Sequence, residues 1–401
     1  MFIFDYLSYI ICFVLIFSLF YYFIIRIKYG FCAIQPVFHE YDFGFKLKPP
    51  GIISFSPPSK NKYTNFADIE TFPFLNITSL QKQRFTHLII HHYLFNKHTY
   101  FKQENIEPYF VGKSFISFYY NDTNLLDTLN GNIVVDRHIV GSITSRPLTV
   151  FIPKIANHFD PYFTVNFMDF ICINKLHRKK GIVSQLIQTH EYNQRLLNSR
   201  CLVSLLKREG KHKLLKGIVP LCNYLSYGFQ VIKWTKPNEF PANYNLIEIN
   251  QQNFRFLHDF ITNNSLEFDI IIKNDMANIM ELIKTKNIFV YAVLTSNQMQ
   301  CCYFFKNTCE YIEKDMKTLS CFGSICNCDD ETFINGYIIS FWKIASQHHF
   351  GFCLIDNISH NDIIINNIIL KTRPVLIQEN AFYFYNFAYP TFASNKCLIL
   401  Y

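Results

Sequence analysis

The chain has 401 residues, of which 50% are hydrophobic, 17% aromatic and 17% charged, and its formal net charge is +8. That much apolar surface suffices for large cores and excludes a disordered polyelectrolyte. The low charged fraction and the lack of any RNA- or DNA-binding motif exclude a dedicated nucleic-acid protein, while the positive balance favours anionic partners such as phosphate esters or acidic lipid headgroups.

The first element is the uncharged apolar run from Leu7 to Ile25. At a rise of about 1.5 Å per residue, such a helix just spans a hydrocarbon core of about 30 Å. The early basic residues and small-residue cleavage site of a secretory signal are missing, and Arg26 and Lys28 follow directly. The expectation is an uncleaved single-pass membrane anchor, residues 1–28, touching lipid through 7–25 and leaving the rest of the chain in the cytosol. A hydrophobic core helix is the alternative. With the anchor, the sequons at Asn76, Asn121, Asn263 and Asn357 go unused.

Next, Lys48-Pro49-Pro50-Gly51 and Ser56-Pro57-Pro58-Ser59 read as turns and extended chain, an arm wrapping the body. Periodicity predicts a helix over 80–97 and a short second one over 125–129, ended by Asn130-Gly131. Apolar residues at 133–135 and 139–143 flank Asp136-Arg137-His138, which reads as a hairpin. Strands follow at 148–152 and 163–173, a helix over 182–197, and strands at 202–206 and 230–234. The second half repeats the theme, with helices over 251–263 and 275–285, strands at 288–294 and 300–305, and a long helix over 334–348. Such alternation places the chain in the α/β (α+β) class, with mixed central sheets flanked by helices. No internal sequence repeat is visible.

Thirteen cysteines are an odd number in a long chain, and Cys172 and Cys222 fall in core-like runs, so a reduced compartment is expected. Cys321, Cys326 and Cys328 lack the paired spacing of a zinc knuckle, and no metal is expected. The adjacent pairs His91-His92 and His348-His349 point in different directions on a helix and read as surface or core residues. The wealth of Phe, Tyr, Ile, Asn and Lys indicates an AT-rich coding genome, compatible with a protist or a large DNA virus.

Residues 165–187 carry the chemistry. An apolar strand, broken only by Asp169, runs into the turn Arg178-Lys179-Lys180-Gly181, after which Ile182, Leu186 and Ile187 fall on one helical face. Unpaired N–H groups at a helix N-terminus, set among basic side chains, form a cradle for a pyrophosphate. Read alone, the turn is equally a solvated basic loop.

Longer stretches resemble the N-myristoyltransferase family of the GNAT acyltransferase superfamily. Phe170-Ile171-Cys172-Ile173-Asn174-Lys175, followed by Arg178-Lys179-Lys180 and Leu186-Ile187, resembles N-F-L-C-V-H-K-x-L-R-S-K-R-x-A-P-x-L-I. Tyr29-Gly30-Phe31-Cys32-Ala33-Ile34-Gln35-Pro36-Val37 is similar to Y-x-F-W-x-T-Q-P-V, and Ile116-Ser117-Phe118-Tyr119-Tyr120 to F-R-F-D-Y. Phe384-Tyr385-Asn386-Phe387 and Cys397-Leu398-Ile399-Leu400-Tyr401 resemble Y-L-Y-N-W and the terminal V-G-L-V-L. These segments occur in the family's order and extend over residues 29–401.

The resemblance implies two GNAT-like halves, 29–238 for acyl-CoA and 239–401 for peptide, in a monomer. It implies transfer of a long acyl chain from myristoyl-CoA to the N-terminal glycine of a protein. The oxyanion donors would be the backbone N–H groups of Phe170 and Ile171, and the base the carboxylate of Tyr401. Acyl-CoA would lie along Tyr29, Phe31, Gln35, Pro36 and Ile173, with its diphosphate at Arg178, Lys179, Lys180, Gly181, Ile182 and Val183. The peptide would meet Ile116, Phe118 and Tyr120. Departures from the family pattern are Gly181 for an arginine, Ser184 for a proline, Leu206 for a threonine, a terminal tyrosine, and Tyr109-Phe110-Val111-Gly112-Lys113 for an acidic run. They leave open an acetyl-CoA-dependent GNAT enzyme, or an inactive membrane protein that binds acyl-CoA or lipidated peptides.

Overall fold

The apolar residues of the predicted strands share one sheet because they alternate sides or run buried on both faces. In the computed structural model, which describes every residue except 1, 94–97, 127–132, 156–159, 211–214, 232–233, 235–236, 238–239, 241–242 and 313–315, that sheet has 15 strands. Helices cover its faces, as the composition and alternation predict. The expected boundary at 238/239 lies outside the described residues.

Two crossover units organise the sheet. In the first, Tyr162–Ile173 leads through the helix Ile182–Leu197 to the parallel strand Val203–Glu209. In the second, Met316–Cys326 leads through the helix Asp330–His348 to the parallel strand Phe350–Asp356. The strand Leu376–Tyr385 joins them, pairing with Val203–Glu209 on one side and Cys222–Gln230 on the other, and Cys222–Gln230 in turn pairs with Phe350–Asp356. The closing strand Cys397–Leu400 lies parallel to Ile270–Lys273, which is antiparallel to Ile133–Phe151. The last residues of the chain are thereby built into the body beside the first crossover.

The arm wraps as its prolines foretell. Ser54 and Ser56 carbonyls accept from the Arg195 guanidinium, and Asn65 bonds to Gln185 and Thr189 of the first crossover helix. This explains why that helix buries Gln188, His190, Glu191, Gln194 and Arg195 as well as its apolar face. The N-terminal helix Phe2–Tyr29 has exposed apolar side chains from Ile10 to Ile27 and is long and apolar enough to cross a membrane. Its last turn is seated, since Tyr29 lies where any side chain on Gly217 would sit, and its ring packs 5.6 Å from Tyr41.

Four expectations need correction. The helix expected over 80–97 is Ser79–His92, opened by a Thr78/Gln81 capping box; 94–97 lie outside the described residues. Leu125 and Leu126 do not start a helix but end the strand Phe115–Leu126; 127–132 lie outside the described residues. The hairpin at Asp136-Arg137-His138 is part of one strand, Ile133–Phe151, paired along the whole of Phe115–Leu126. Its charges need no turn because Arg137 meets Glu70 and Asp122, and His138 meets Asp136, on the exposed ladder. The strand expected at 230–234 is Cys222–Gln230, ending where the expected one begins; 232–233 lie outside the described residues.

Candidate functional site

The two parallel strands of the first crossover are in register from Val165/Val203 to Met168/Leu206 and then part. Beyond that point Tyr162–Ile173 keeps only its antiparallel neighbour Ile133–Phe151, and Val203–Glu209 keeps only Leu376–Tyr385. A cavity of about 1030 Å³ opens in the split, lined by Asp169, Phe170, Ile171 and Ile173 on one side and Lys207, Arg208 and Glu209 on the other. A volume of that size accommodates an extended ligand.

Where the strands part, the ladder is also broken. Ser142 pairs with Cys172 and Thr144 with Asp169, so Phe170 and Ile171 together face the single residue Ile143 in a bulge. Phe170 has φ 46°, in the left-handed region that a bulky residue rarely occupies. Its N–H is turned onto Asp169 Oδ1 at 2.8 Å, and Asp169 also accepts from Tyr93 Oη at 3.3 Å. Four aromatic contacts hold the conformation, with the Phe170 ring packed on Phe85, Tyr93, Phe101 and Phe110. The bulge thus turns the Phe170 N–H out of the ladder at the mouth of the split, where Asp169 Oδ1 accepts it.

The basic turn forms the next wall. Gly181 caps the helix at φ 77° with no side-chain cap, and a Cβ there would meet nothing within 4 Å, so the N-terminal N–H groups face open space. Lys179 is left-handed too, at φ 65°. Lys179, Gly181, Ile182, Val183 and Ser184 line the cavity, and Lys180 stands exposed beside it. Arg178 also lines it, but its guanidinium is committed to the carbonyls of Ile173 and His92, so it braces the turn. The arrangement suits a diphosphate held by main-chain donors and lysines.

The opposite end is closed by the chain terminus. Tyr401 is only 5% exposed, its ring edge-on to Phe167, Phe322 and Phe382. Lys207 Nζ donates to Tyr401 Oη at 2.7 Å and meets Glu209 Oε1 at 2.6 Å. Burial alone would lower the Lys207 ammonium, yet Glu209 foremost outweighs it and holds the group well above the ordinary lysine value. Asp356, joined to Ser226, is raised by burial, with Lys207 pulling it back. Lys306 lies over the Tyr401 ring at 4.7 Å and over Tyr109 at 5.0 Å, and burial lowers its ammonium to about 8.

Most residues singled out in the sequence converge on this cavity. Phe31, Ile171 and Val183 pack against one apolar cluster that includes Ile173, Ile182, Leu206 and Leu215, so the N-terminal segment abuts the cradle. Gln35 is buried, accepting from Tyr385 Oη at 2.6 Å, and the Pro36 carbonyl accepts from Asn386 N–H at 2.6 Å. Tyr29, Phe31, Gln35 and Pro36 therefore back the site without lining the cavity. Ile116, Phe118 and Tyr120 depart from expectation: Ile116 and Phe118 are fully buried, Tyr120 bonds to Gln81, and none lines the cavity. The reason is the pleat, which turns these alternate residues into the core beneath Ser79–His92.

Lys207, Glu209, Lys306 and Asp356 were missed. The one available signal was charge placed at the end of an otherwise apolar run, at Lys207-Arg208-Glu209 and again at Lys306 after Cys301 to Phe305. All thirteen cysteines carry free thiols, and Cys222 and Tyr224 are buried in the core. Among the described residues no group of three or more His, Cys, Asp or Glu is placed to hold a metal ion.

No family model and no curated protein matches the chain. Among solved structures, that of Saccharomyces cerevisiae N-myristoyltransferase with bound myristoyl-CoA superposes with a TM-score of 0.66 at 13% identity, over 92% of this chain and 94% of that chain. Another structure of the yeast enzyme, with bound myristoyl-CoA and inhibitors, gives 0.66 at 12% identity, over 93% and 94%. The chain thus has the N-myristoyltransferase fold, with the mixed sheet and flanking helices expected of it.

Proposed function

We propose that the protein is an acyl-CoA-dependent acyltransferase of the N-myristoyltransferase type, moving a long acyl chain to the N-terminal glycine amine of a protein. The observation that carries this reading is the split of the first crossover, with the Phe170 bulge and the Gly181 cradle at one end and the buried chain terminus at the other. The likeness to yeast enzyme structures that contain myristoyl-CoA supports the choice of co-substrate.

The diphosphate of acyl-CoA is held by the N–H groups after Gly181 together with Lys179 and Lys180. The thioester carbonyl lies at the bulge, where Phe170 N–H exchanges Asp169 Oδ1 for the carbonyl oxygen and Ile171 N–H joins it. Donors fixed before the charge develops are worth roughly a hundred- to a thousandfold in rate. The terminal carboxylate of Tyr401 takes a proton from the glycine ammonium, and the free amine attacks the carbonyl carbon. The C–N bond forms, the C–S bond breaks, and CoA leaves as its thiol after taking up the second amine proton. Lys207, bridging Glu209 and the Tyr401 phenol, positions the terminal residue. The apolar helix ending at Tyr29 anchors the enzyme on the cytosolic face of a membrane, and carbonate extraction tests that placement.

Extending the chain by a single glycine past Tyr401 moves the carboxylate away from the site. General-base catalysis contributes typically about a hundred- to ten-thousandfold. The expected outcome, read by intact mass with myristoyl-CoA and N-terminal glycine peptides, is a loss of that order in kcat while acyl-CoA affinity is kept. Undiminished turnover in the extended protein overturns the role of Tyr401. Tight acyl-CoA binding without product in the native chain favours the binding-protein reading.

A further inference from the structure

At its Tyr401 end, away from Lys179, the cavity holds two lysines in contrasting situations. Lys207 is saturated by Glu209 and by the Tyr401 phenol. Lys306, carried by the strand Gln298–Ile312, lies over the ring faces of Tyr109 and Tyr401, and among the described residues its ammonium makes no ion pair and no hydrogen bond. The carboxylate that acts on it most strongly, Asp169, is already engaged: Oδ1 accepts from Phe170 N–H and Tyr93 Oη, and Oδ2 faces Arg146 at 3.9 Å. An ammonium has three donors, and withdrawing it from bulk water without an anionic partner is costly. The aromatic faces of Tyr109 and Tyr401 offset part of that cost and leave the donors free.

The missing partner must enter with a substrate. Phosphates of acyl-CoA belong at the Gly181 cradle, on the first crossover, whereas Lys306 adjoins Tyr401 at the opposite end, where the acceptor amine arrives. We propose that the acceptor is an acidic N-terminus, in which a side-chain carboxylate within the first few residues after the glycine pairs with Lys306. This rests on the acyl-transfer reading above and names its substrate class. It also accounts for Tyr109-Phe110-Val111-Gly112-Lys113, a stretch without acidic residues whose Tyr109 ring supports Lys306 instead of offering a carboxylate to a basic peptide. Repulsion between like charges in such a cavity disfavours a basic residue at the same place.

The test uses the full chain in nanodiscs with three octapeptides identical except for Asp, Asn or Lys at the positions following the glycine. Intact-mass kinetics give kcat/KM with myristoyl-CoA. Fluorescence anisotropy gives affinities in the presence of a non-transferable thioether analogue of myristoyl-CoA. Expected is a preference for the Asp over the Lys peptide of roughly tenfold or more in both readouts. Lys306→Met should collapse that ratio towards one, Lys306→Glu should invert it, and Lys306→Arg should keep it. An unchanged ratio in Lys306→Met, or a native preference for the Lys peptide, overturns the proposal. If no peptide is acylated, the function fails by itself, and the anisotropy ratios still decide whether Lys306 selects acidic chains.

Discussion

The two crossover helices start in opposite ways. The first, Ile182–Leu197, is preceded by Arg178, Lys179 and Lys180, has glycine at its cap and leaves its N-terminal N–H groups open. The second, Asp330–His348, is capped by Asp329, whose Oδ1 accepts from Thr332 N–H, and continues with Asp330 and Glu331. A helix N-terminus attracts anions. The second supplies its own, while the first has none. The strands agree with this division: both units carry a bulge, at Phe170-Ile171 and at Phe322, but only the first forces a left-handed residue and turns a main-chain N–H out of the ladder. One architecture, used twice in a chain, thus gives one unit with an open helix N-terminus beside a cavity and one with a self-capped helix, and the difference lies in a handful of residues at the strand-to-helix turns.

The sharpest way to break this contrast is to give the first helix the cap of the second. Gly181→Asp places a carboxylate where the diphosphate is expected and a side chain at φ 77°. Acyl-CoA affinity measured by calorimetry should fall roughly a hundredfold or more. Retention of affinity would show that the cradle is not the anion site.

A second contrast concerns the buried faces. The second helix packs Phe333, Tyr337, Phe341 and Ile344 into an apolar core, whereas the first buries Glu191 between Ser204 and Gln194. Burial pushes the Glu191 carboxyl up to about 7, with Ser204, Arg195 and Gln194 pulling it back. The folded state therefore favours the protonated form. Its contribution to stability is full below the ordinary carboxylate value of about 4.5, falls as pH rises to about 7, and is flat above that. Glu191→Gln should remove this dependence and stabilise the protein at pH 8 by on the order of 3 kcal/mol, from about 1.4 kcal/mol for each pH unit of displacement. Denaturant unfolding of both proteins at pH 5 and pH 8 checks it, and parallel stabilities at the two pH values contradict it. The smallest effect is expected at Asp329→Ala, which removes the cap of the second helix at a cost of about 1 kcal/mol. Acyl-CoA affinity should stay within twofold, and a larger change would mean that the supporting unit takes part in binding.

The legible parts of the sequence were those with local causes. The strand, basic turn, glycine and helix of the first crossover could be read because periodicity, charge and a cap lie within about twenty residues. The left-handed Phe170 could not, since its conformation is imposed by packing against Phe85, Tyr93, Phe101 and Phe110 from elsewhere in the chain. Asp136-Arg137-His138 imitated a turn because charge interrupted an apolar run, and only the long partner strand and the Glu70 and Asp122 carboxylates show why the strand continues. Lys306 and Lys207 come from strands distant in sequence and acquire meaning only when Tyr401 is folded between them.

The seating of Tyr29 against Gly217 and Tyr41 also has a kinetic consequence. The apolar helix passes into the segment that backs the Gly181 cradle with no slack between them, as Gly30 N–H still bonds to the Arg26 carbonyl. With that helix in a bilayer, the proposed acyltransferase is held at a fixed height above the leaflet and searches in two dimensions. A fatty thioester dissolved in the same leaflet then reaches it by lateral diffusion, so turnover should follow the mole fraction of acyl-CoA among the lipids. Adding inert lipid at constant bulk concentration would slow the reaction as an inhibitor does, although nothing occupies the site.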